Sequence, residues 1–345
     1  MALTDKQLLA YLNVKGLGVK TAFKLAEYAR ENNIELNTPQ EMYEFFMTLL
    51  TKKIITRPKL EDAYAILDGC DAAARILESS AKLGIKFTTY YSEDFPSKLK
   101  NIKDAKGELD APLILWYLGD LKVAEMPSVA IIGTREPTPE GIKAGNYIGK
   151  KMAAAGFNIV SGLAYGCDKS GHEGALMAVN GKTTAFLAHG LDSVYPPEHT
   201  ELAHRIVEAG GLLMSEYPIG THGMANYFVA RDRLQSGLAD ACIVIQTGRS
   251  GGTLHAVRAT VANKKPLYAV AYSNPQIMNF PKVQGNAMLL EEGISASENS
   301  PVQKALPITY DNCAEVIDTL KQLPKVCEQD VQETHSTEPI QMSLF

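Results

Sequence analysis

Little in this sequence points to metal or covalent chemistry. The five cysteines, Cys70, Cys167, Cys242, Cys313 and Cys327, are scattered without the paired spacing of a zinc site. Cys242, inside a strand-like apolar run, reads as a small core residue. The seven histidines form no HExxH or other ligand spacing, and no GxSxG elbow occurs, so metal-dependent and serine hydrolysis lack their parts. No pattern asks for a cofactor. Gly181, Lys182 and Thr183 look like the end of a P-loop, but Gly174 lies too far upstream for the GxxxxGK spacing. A helical pattern also precedes them and a strand follows, the reverse of P-loop order. A signal peptide and an apolar run of membrane-spanning length are both missing, which points to a reducing cytoplasm and away from a membrane. Excess positive charge is missing too. A net charge of -5 excludes coating nucleic acid by bulk attraction, so such a partner has to meet a local cluster of Lys and Arg.

What is present is a series of short apolar runs, each ending in a small turn, most with a glycine, and feeding a helical pattern. The runs cover 129–133, 158–162, 184–190, 212–216, 242–248 and 266–272. Runs buried on both faces and separated by helices predict a parallel sheet with crossover connections. Such a sheet gathers its turns along one edge, where helix N-termini offer amides to phosphate.

At 345 residues the chain is long enough for a well-buried core and two domains plus a tail. Residues 1–80 read as a helical domain. Gly16, Leu17 and Gly18 separate two amphipathic helices, with Lys20 and Thr21 opening the second, an arrangement that resembles a helix-hairpin-helix grip on a DNA backbone. A helix-turn with glycine caps, serving packing or dimerisation, is the alternative. Residues 81–125 read as a connecting region and 126–323 as the sheet domain. Residues 324–345 read as a polar, disordered tail ending in Gln341, Met342, Ser343, Leu344 and Phe345.

Three turns carry the anion-binding signal. Gly133, Thr134 and Arg135 follow the first run, and a guanidinium there can hold two phosphate oxygens. Ser161 and Gly162 end the second run, with Gly166 and Asp168 beyond. Gly248 to Thr253, including Ser250, Gly251 and Gly252, end the fifth run and form a nest of donors at a helix start. Between the fourth and fifth runs, Tyr227, Phe228, Arg231 and Arg233 combine aromatics with cations. That suits a single strand, with phosphates on the arginines and a base on a ring. A buried amphipathic helix with solvated arginines fits the same composition.

The segments GTR at 133, SGLAYGCD at 161, HGLDSVYPPEH at 189, SEYP at 215, FVARDR at 228 and SGGTLHA at 250 occur in an order and spacing that resembles the DprA/Smf family. These are DNA-processing proteins of bacterial natural transformation, and the resemblance covers roughly residues 90–295. It implies an α/β, extended Rossmann-like fold with a mostly parallel sheet, preceded by a small helical domain of helix-hairpin-helix or SAM-like type. It also implies a non-enzymatic role in competence and DNA recombination. The protein would bind single-stranded DNA, protect it and help load RecA, commonly as a homodimer. The family's DNA pocket maps onto Thr134, Arg135, Ser161, Gly162, Phe228, Arg231 and Arg233. The chain departs from the family's NFPxRNR segment at Tyr227, Val229 and Asp232, and an acid between two phosphate-binding arginines repels the backbone unless it pairs with one of them. No counterpart is expected of the winged-helix domain often found after the core.

The final QMSLF resembles the pentapeptide that docks on the DNA polymerase III β sliding clamp. In that reading Gln341 is a polar anchor, and Met342, Leu344 and Phe345 are apolar knobs. Packing back on the protein's own surface is the alternative. Two rival functions share the sheet. A LOG-like nucleotide phosphoribohydrolase needs the glutamate of PGGxGTxxE, and Ala256 stands at that position. A nucleotide-sensing module would use the same turns for a small signalling nucleotide.

Overall fold

The computed structural model describes residues 3–60 and 62–324. Four helices open the chain: α1 (Asp5–Leu12), α2 (Val19–Glu31), α3 (Pro39–Thr51) and α4 (Tyr64–Lys82). Thr4 and Thr38 begin α1 and α3 with capping boxes, in which the threonine hydroxyl takes the third amide and Gln7 or Glu41 reaches back. Leu8, Leu25, Phe46, Leu49 and Ile66 fill the space between these helices. Their cluster runs on through Trp116, Leu187 and Ile206, so the helical unit and one flank of the sheet share apolar packing.

The sheet begins with β1 (Lys86–Thr89) and β2 (Ile114–Gly119), continues with β3 (Ser128–Ile132), and crosses over through α5 (Pro139–Ala154) to β4 (Asn158–Ser161). Next come α6 (Cys167–Leu176), β5 (Lys182–Phe186), α7 (Thr200–Glu208), β6 (Leu212–Ser215), α8 (Ala225–Leu238) and β7 (Ala241–Val244). The chain then forms α9 (Thr253–Ala262), β8 (Leu267–Val270), α10 (Pro275–Met278) and α11 (Gln284–Glu291). The short β9 (Ile294–Ser295), β10 (Val302–Gln303) and β11 (Leu306–Ile308) precede α12 (Cys313–Lys321).

Among the described residues the strands form a nine-stranded sheet in the order β1-β2-β6-β5-β4-β3-β7-β8-β11, with β9 and β10 in a separate pair. From β6 to β11 every neighbour pair is parallel, and only β1–β2 and β2–β6 are antiparallel. The central strands β3, β4, β6, β7 and β8 are buried at every position. α5, α6 and α12 cover one face, and α8 and α9 cover the other. Burial on both sides explains why these strands read as unbroken apolar runs.

The sheet departs from the sequence reading at its margins. β1 and β2 lie within 81–125, a segment with no strand expected in it, and β11 adds an unexpected edge strand after the last run. The P-loop look-alike is the start of β5: Thr183 is buried, its hydroxyl donating to the Ile159 carbonyl (2.6 Å) and lying 2.6 Å from His172 Nδ1.

Chain direction through the sheet fixes where a site forms. From β3 the chain steps outward through β4, β5 and β6, then returns through α8 to β7 on the other side of β3. The turns after β3 and β7 therefore separate at a topological switch point, the usual binding crevice of an open α/β sheet. α8 is held at its C-terminal end, where Leu234–Leu238 are buried and Lys265 Nζ donates to the carbonyls of Ser236, Gly237 and Ala239. Burial lowers that ammonium to about 8. The first residues of α8, from Ala225 to Ala230, are exposed or half-buried.

Candidate functional site

The turns after β3 and β7 face each other across a cleft of about 740 Å³. Thr134, Arg135, Phe228, Arg231, Ser250, Gly251, Gly252 and Thr253 all line it, so most of the sequence-derived site residues converge. The turn after β3 is pinned from both sides. Thr134 N–H donates to the Gln246 carbonyl (2.7 Å), and Cys167 N–H donates to the Thr134 carbonyl (3.1 Å). A side chain at Gly133 would run into Cys167 Sγ at 2.5 Å, so only glycine lets this turn pass so close to α6.

The turn after β7 is open where the first is crowded. Gly251 has φ +128°, a conformation that favours glycine, and a Cβ at Gly251 or Gly252 would meet nothing within 4 Å. α9 starts at Thr253 with no side chain capping it. Ser250, Gly251, Gly252 and Thr253, just ahead of the first helical hydrogen bonds, border the cleft, an arrangement suited to an anion.

Aromatics form one wall. The Phe228 ring lies 5.7 Å from the Tyr195 ring, and the Arg135 guanidinium sits 5.7 Å from the Phe228 centroid. Tyr195 is half exposed, as 52% of its surface is open. Tyr195 and Lys282 are cleft residues that motif reasoning missed. Tyr195 lies inside the HGLDSVYPPEH segment, whose length hid which residue faces the site. Lys282 comes from the loop after α10, where no turn signal marks it, and its ammonium is 3.3 Å from Glu136.

Arg231 is the structural centre of the cleft floor. It is 4% exposed, and its Nη1 donates to the Phe186 carbonyl (2.8 Å). Its Nε lies 3.4 Å from Asp232 Oδ1 and has no hydrogen-bond partner among the described residues. Asp232, whose place between two arginines looked repulsive in sequence, pairs with Arg231 and also accepts from Gln235 Nε2 (3.0 Å). Burial pushes its carboxyl up from 3.8 to about 7, against the pull of Arg231. Asp168 is fully buried nearby, its Oδ2 accepting from the amides of Gly162 and Ala164. Burial raises that carboxyl as well, and Arg231 and the two amides oppose the rise.

Three expected contact residues sit differently. The Ser161 hydroxyl is buried and donates to the Ile131 carbonyl (2.6 Å), so it ties β4 to β3 and does not reach the cleft. Gly162 does not line the cleft either. A Cβ there would lie 1.5 Å from Arg231 Nη1, so its lack of a side chain is what admits the guanidinium. Arg233 points away from the cleft. Residues two apart on a helix leave on opposite sides, so Arg231 and Arg233 of α8 cannot serve one pocket. Arg233 instead forks onto Glu216 (2.6 and 2.7 Å), with Asp110 Oδ2 3.2 Å from its Nε. Burial works to lower its pKa, but those carboxylates outweigh it and hold the guanidinium above the usual range.

Gly16 and Gly18 lie in the turn between α1 and α2 and Lys20 in the first turn of α2, all outside the cleft. Gln341, Met342, Leu344 and Phe345 lie outside the described residues. Among the described residues no His, Cys, Asp and Glu cluster could hold a metal ion, and no helix is long and apolar enough to cross a membrane.

Comparison with known proteins places this cleft in a family. The sequence profile of DNA recombination-mediator protein A matches residues 86–306. Protein Smf of Synechocystis is 35% identical over 231 residues, covering 65% of this chain and 55% of the relative, so the chain spans a little over half of that protein. The DNA processing protein DprA of Bacillus subtilis is 30% identical over 223 residues, covering 64% of this chain and 71% of the relative. Among solved structures, DprA from Streptococcus pneumoniae superposes with a TM-score of 0.69 over 92% of this chain and 98% of its own, at 22% identity, a likeness of fold. DprA from Helicobacter pylori, described for its single-stranded DNA binding mode, gives 0.55 at 28% identity over 68% of this chain and 96% of its own. The fold, the ordered motifs and the profile agree, and the chain belongs to the DNA recombination-mediator protein A family.

Proposed function

We propose that the cleft holds the sugar-phosphate backbone of single-stranded DNA, and that the protein handles such strands in natural transformation and recombination without catalysing a reaction. One observation carries this reading. Two turns of the kind suited to anions and an aromatic wall meet at the switch point, with Arg135 placed beside the ring. Phosphate on the amides and guanidinium, with a base against Phe228 or Tyr195, is the recognition a single strand needs. Protection of the strand, loading of RecA, a homodimeric state, and a clamp contact through Gln341, Met342, Leu344 and Phe345 belong to the same proposal. So does a cytoplasmic location.

The rival chemistry is less well supported. Ala256 is buried in α9 and its carbonyl accepts from Ser236, so the phosphoribohydrolase glutamate has no equivalent there. A small signalling nucleotide would use the same turns but would leave the aromatic wall beyond its first base idle.

Arg135→Ala is expected to weaken binding of a labelled oligothymidylate by about 1–3 kcal/mol, the range for losing a charge-assisted bond. Fluorescence anisotropy at matched salt reads this directly, and unchanged affinity would count against the cleft. Mononucleotide competing as well as the oligomer would instead favour the sensor.

Asp232 is expected to make the site pH-dependent. Its carboxyl is raised on folding, so protonation favours the folded state. That stability is complete below the unfolded value of 3.8 and is lost as pH rises through about 7. The ionised form also repels phosphate in the cleft. Binding is therefore expected to be tighter at pH 6 than at pH 8, and Asp232→Asn should strengthen binding at pH 8 and flatten the difference. Anisotropy at both pH values and constant ionic strength tests this. An unaltered pH profile in the variant would remove Asp232 from the account.

A further inference from the structure

The helical unit carries a second charged surface that the cleft does not use. From Asn13 to Ala26 the sequence holds Lys15, Lys20 and Lys24 and no Asp or Glu. From Thr48 to Leu60 it holds Lys52, Lys53, Arg57 and Lys59, again with no Asp or Glu. Nothing in the linear sequence joins these segments, but the fold does. Lys24 Nζ donates to the Ile54 carbonyl (3.3 Å), and Lys52 Nζ donates to the Tyr28 hydroxyl (2.9 Å) and lies over that ring. At the other end the Gly16 turn packs on Pro58, where a Cβ on the glycine would sit 3.4 Å from the proline Cβ. All seven cations are exposed. Lys20 lies 3.9 Å from Glu108, an exposed pair of little strength. Lys15, Lys53, Arg57 and Lys59 make no side-chain hydrogen bond or ion pair among the described residues.

We infer that this ridge is a docking surface for the phosphate backbone of duplex DNA, separate from the cleft. In a chain of net charge -5, such a concentration of cations sets a local field opposite to that of the whole. The composition of the surface selects the partner. Neither segment exposes an aromatic ring, and Tyr28 beside them is half-buried with Lys52 over its face, so an open stacking platform like Tyr195 and Phe228 in the cleft is missing from them. Val19 is the one large apolar side chain the two segments expose, too little for the buried centre of a protein interface. What remains are cations, the exposed Gly16 and Gly18, and backbone, which position a double helix by its phosphates without reading bases. The inference goes beyond the cleft reading: one molecule would hold a single strand at the sheet edge and a duplex on the helical unit.

The test uses the full chain with Lys15→Glu, Lys53→Glu and Lys59→Glu combined, since these side chains hold nothing in the fold. Anisotropy is read separately with a labelled duplex and with labelled oligothymidylate, across a salt series. The expected result is a fall of about tenfold or more in duplex affinity and a shallower salt dependence, with single-strand affinity changed by less than about twofold. A second variant, Lys15→Gln with Lys20→Gln, should weaken duplex binding in the same direction. Duplex affinity unchanged in both variants, or no duplex binding by the unaltered chain, overturns the ridge. Arg135→Ala, measured alongside, should lower only the single-strand affinity, so failure of the cleft reading and failure of the ridge give different patterns.

Discussion

Replacing Arg231 with alanine is expected to lower folding stability by about 3–5 kcal/mol, the cost of leaving buried charge without its partner. The guanidinium is almost wholly buried, its Nη1 satisfies the Phe186 carbonyl, and Asp232 and Asp168 lie against it. Removing it strands an acceptor and withdraws the cation that favours ionisation of both acids. Those acids would then take up protons, so the loss should be larger at pH 8 than at pH 5, where neutral carboxyls are cheaper to bury. Urea unfolding at the two pH values measures this through the midpoint with an unchanged slope. A loss below about 1 kcal/mol at pH 8 would mean that the cleft floor does not depend on the ion cluster. Arg231→Lys is expected to rescue only part, because an ammonium cannot reproduce the flat fork.

Gly162→Ala should approach the same loss by a different route. Its Cβ would collide with Nη1 and Cζ of Arg231, and the guanidinium is held by the Phe186 carbonyl, so it can yield only by giving up that bond. The added methyl therefore expels the arginine or distorts the turn after β4, at a cost of about 3 kcal/mol, the upper part of the overpacking range. In an Arg231→Ala background the clash is gone. The double variant should then be little worse than Arg231→Ala alone, a coupling of about 2–3 kcal/mol in a double-mutant cycle. Additive losses would show that Gly162 is required for its backbone and not for the room it leaves. Neither variant is a clean probe of binding, which is why Arg135, exposed and unburdened by the core, carries that test.

The centre of the fold was legible because β3, β4, β7 and β8 lie between two helical layers and must be apolar at every position. Their ends were legible because a chain leaving such a strand for a helix turns sharply, and Gly133 and Gly251 mark where only glycine serves. The margins were hidden for physical reasons. β2 pairs antiparallel with β6, a partner about a hundred residues onward, so no local periodicity announces it. β11 contains Pro307, which suits an edge strand but reads as a break in sequence. Thr134, Arg135 and the turn from Ser250 to Thr253 line the cleft where the sequence reading expected them, because turns declare themselves. Ser161 and Arg233 were placed in the cleft because a motif lists residues without their directions. The hydroxyl of Ser161 was needed inside the sheet, and helical geometry turns Arg233 toward Glu216. Lys282 and the alkaline ridge of the helical unit depend on segments far apart in sequence and had no linear signature.

The way α8 is fastened has a mechanical consequence. Clamped by Lys265 and enclosed on all sides at its far end, and open over its first turns, it has the form of a cantilever, with Arg231 at mid-length where burial begins and Phe228 about a turn closer to the tip. The buried charge is fixed at the sheet edge by the Phe186 carbonyl, whereas the ring borders the open cleft. A strand lying along it would meet a fixed charge on its backbone side and an open aromatic face on its base side.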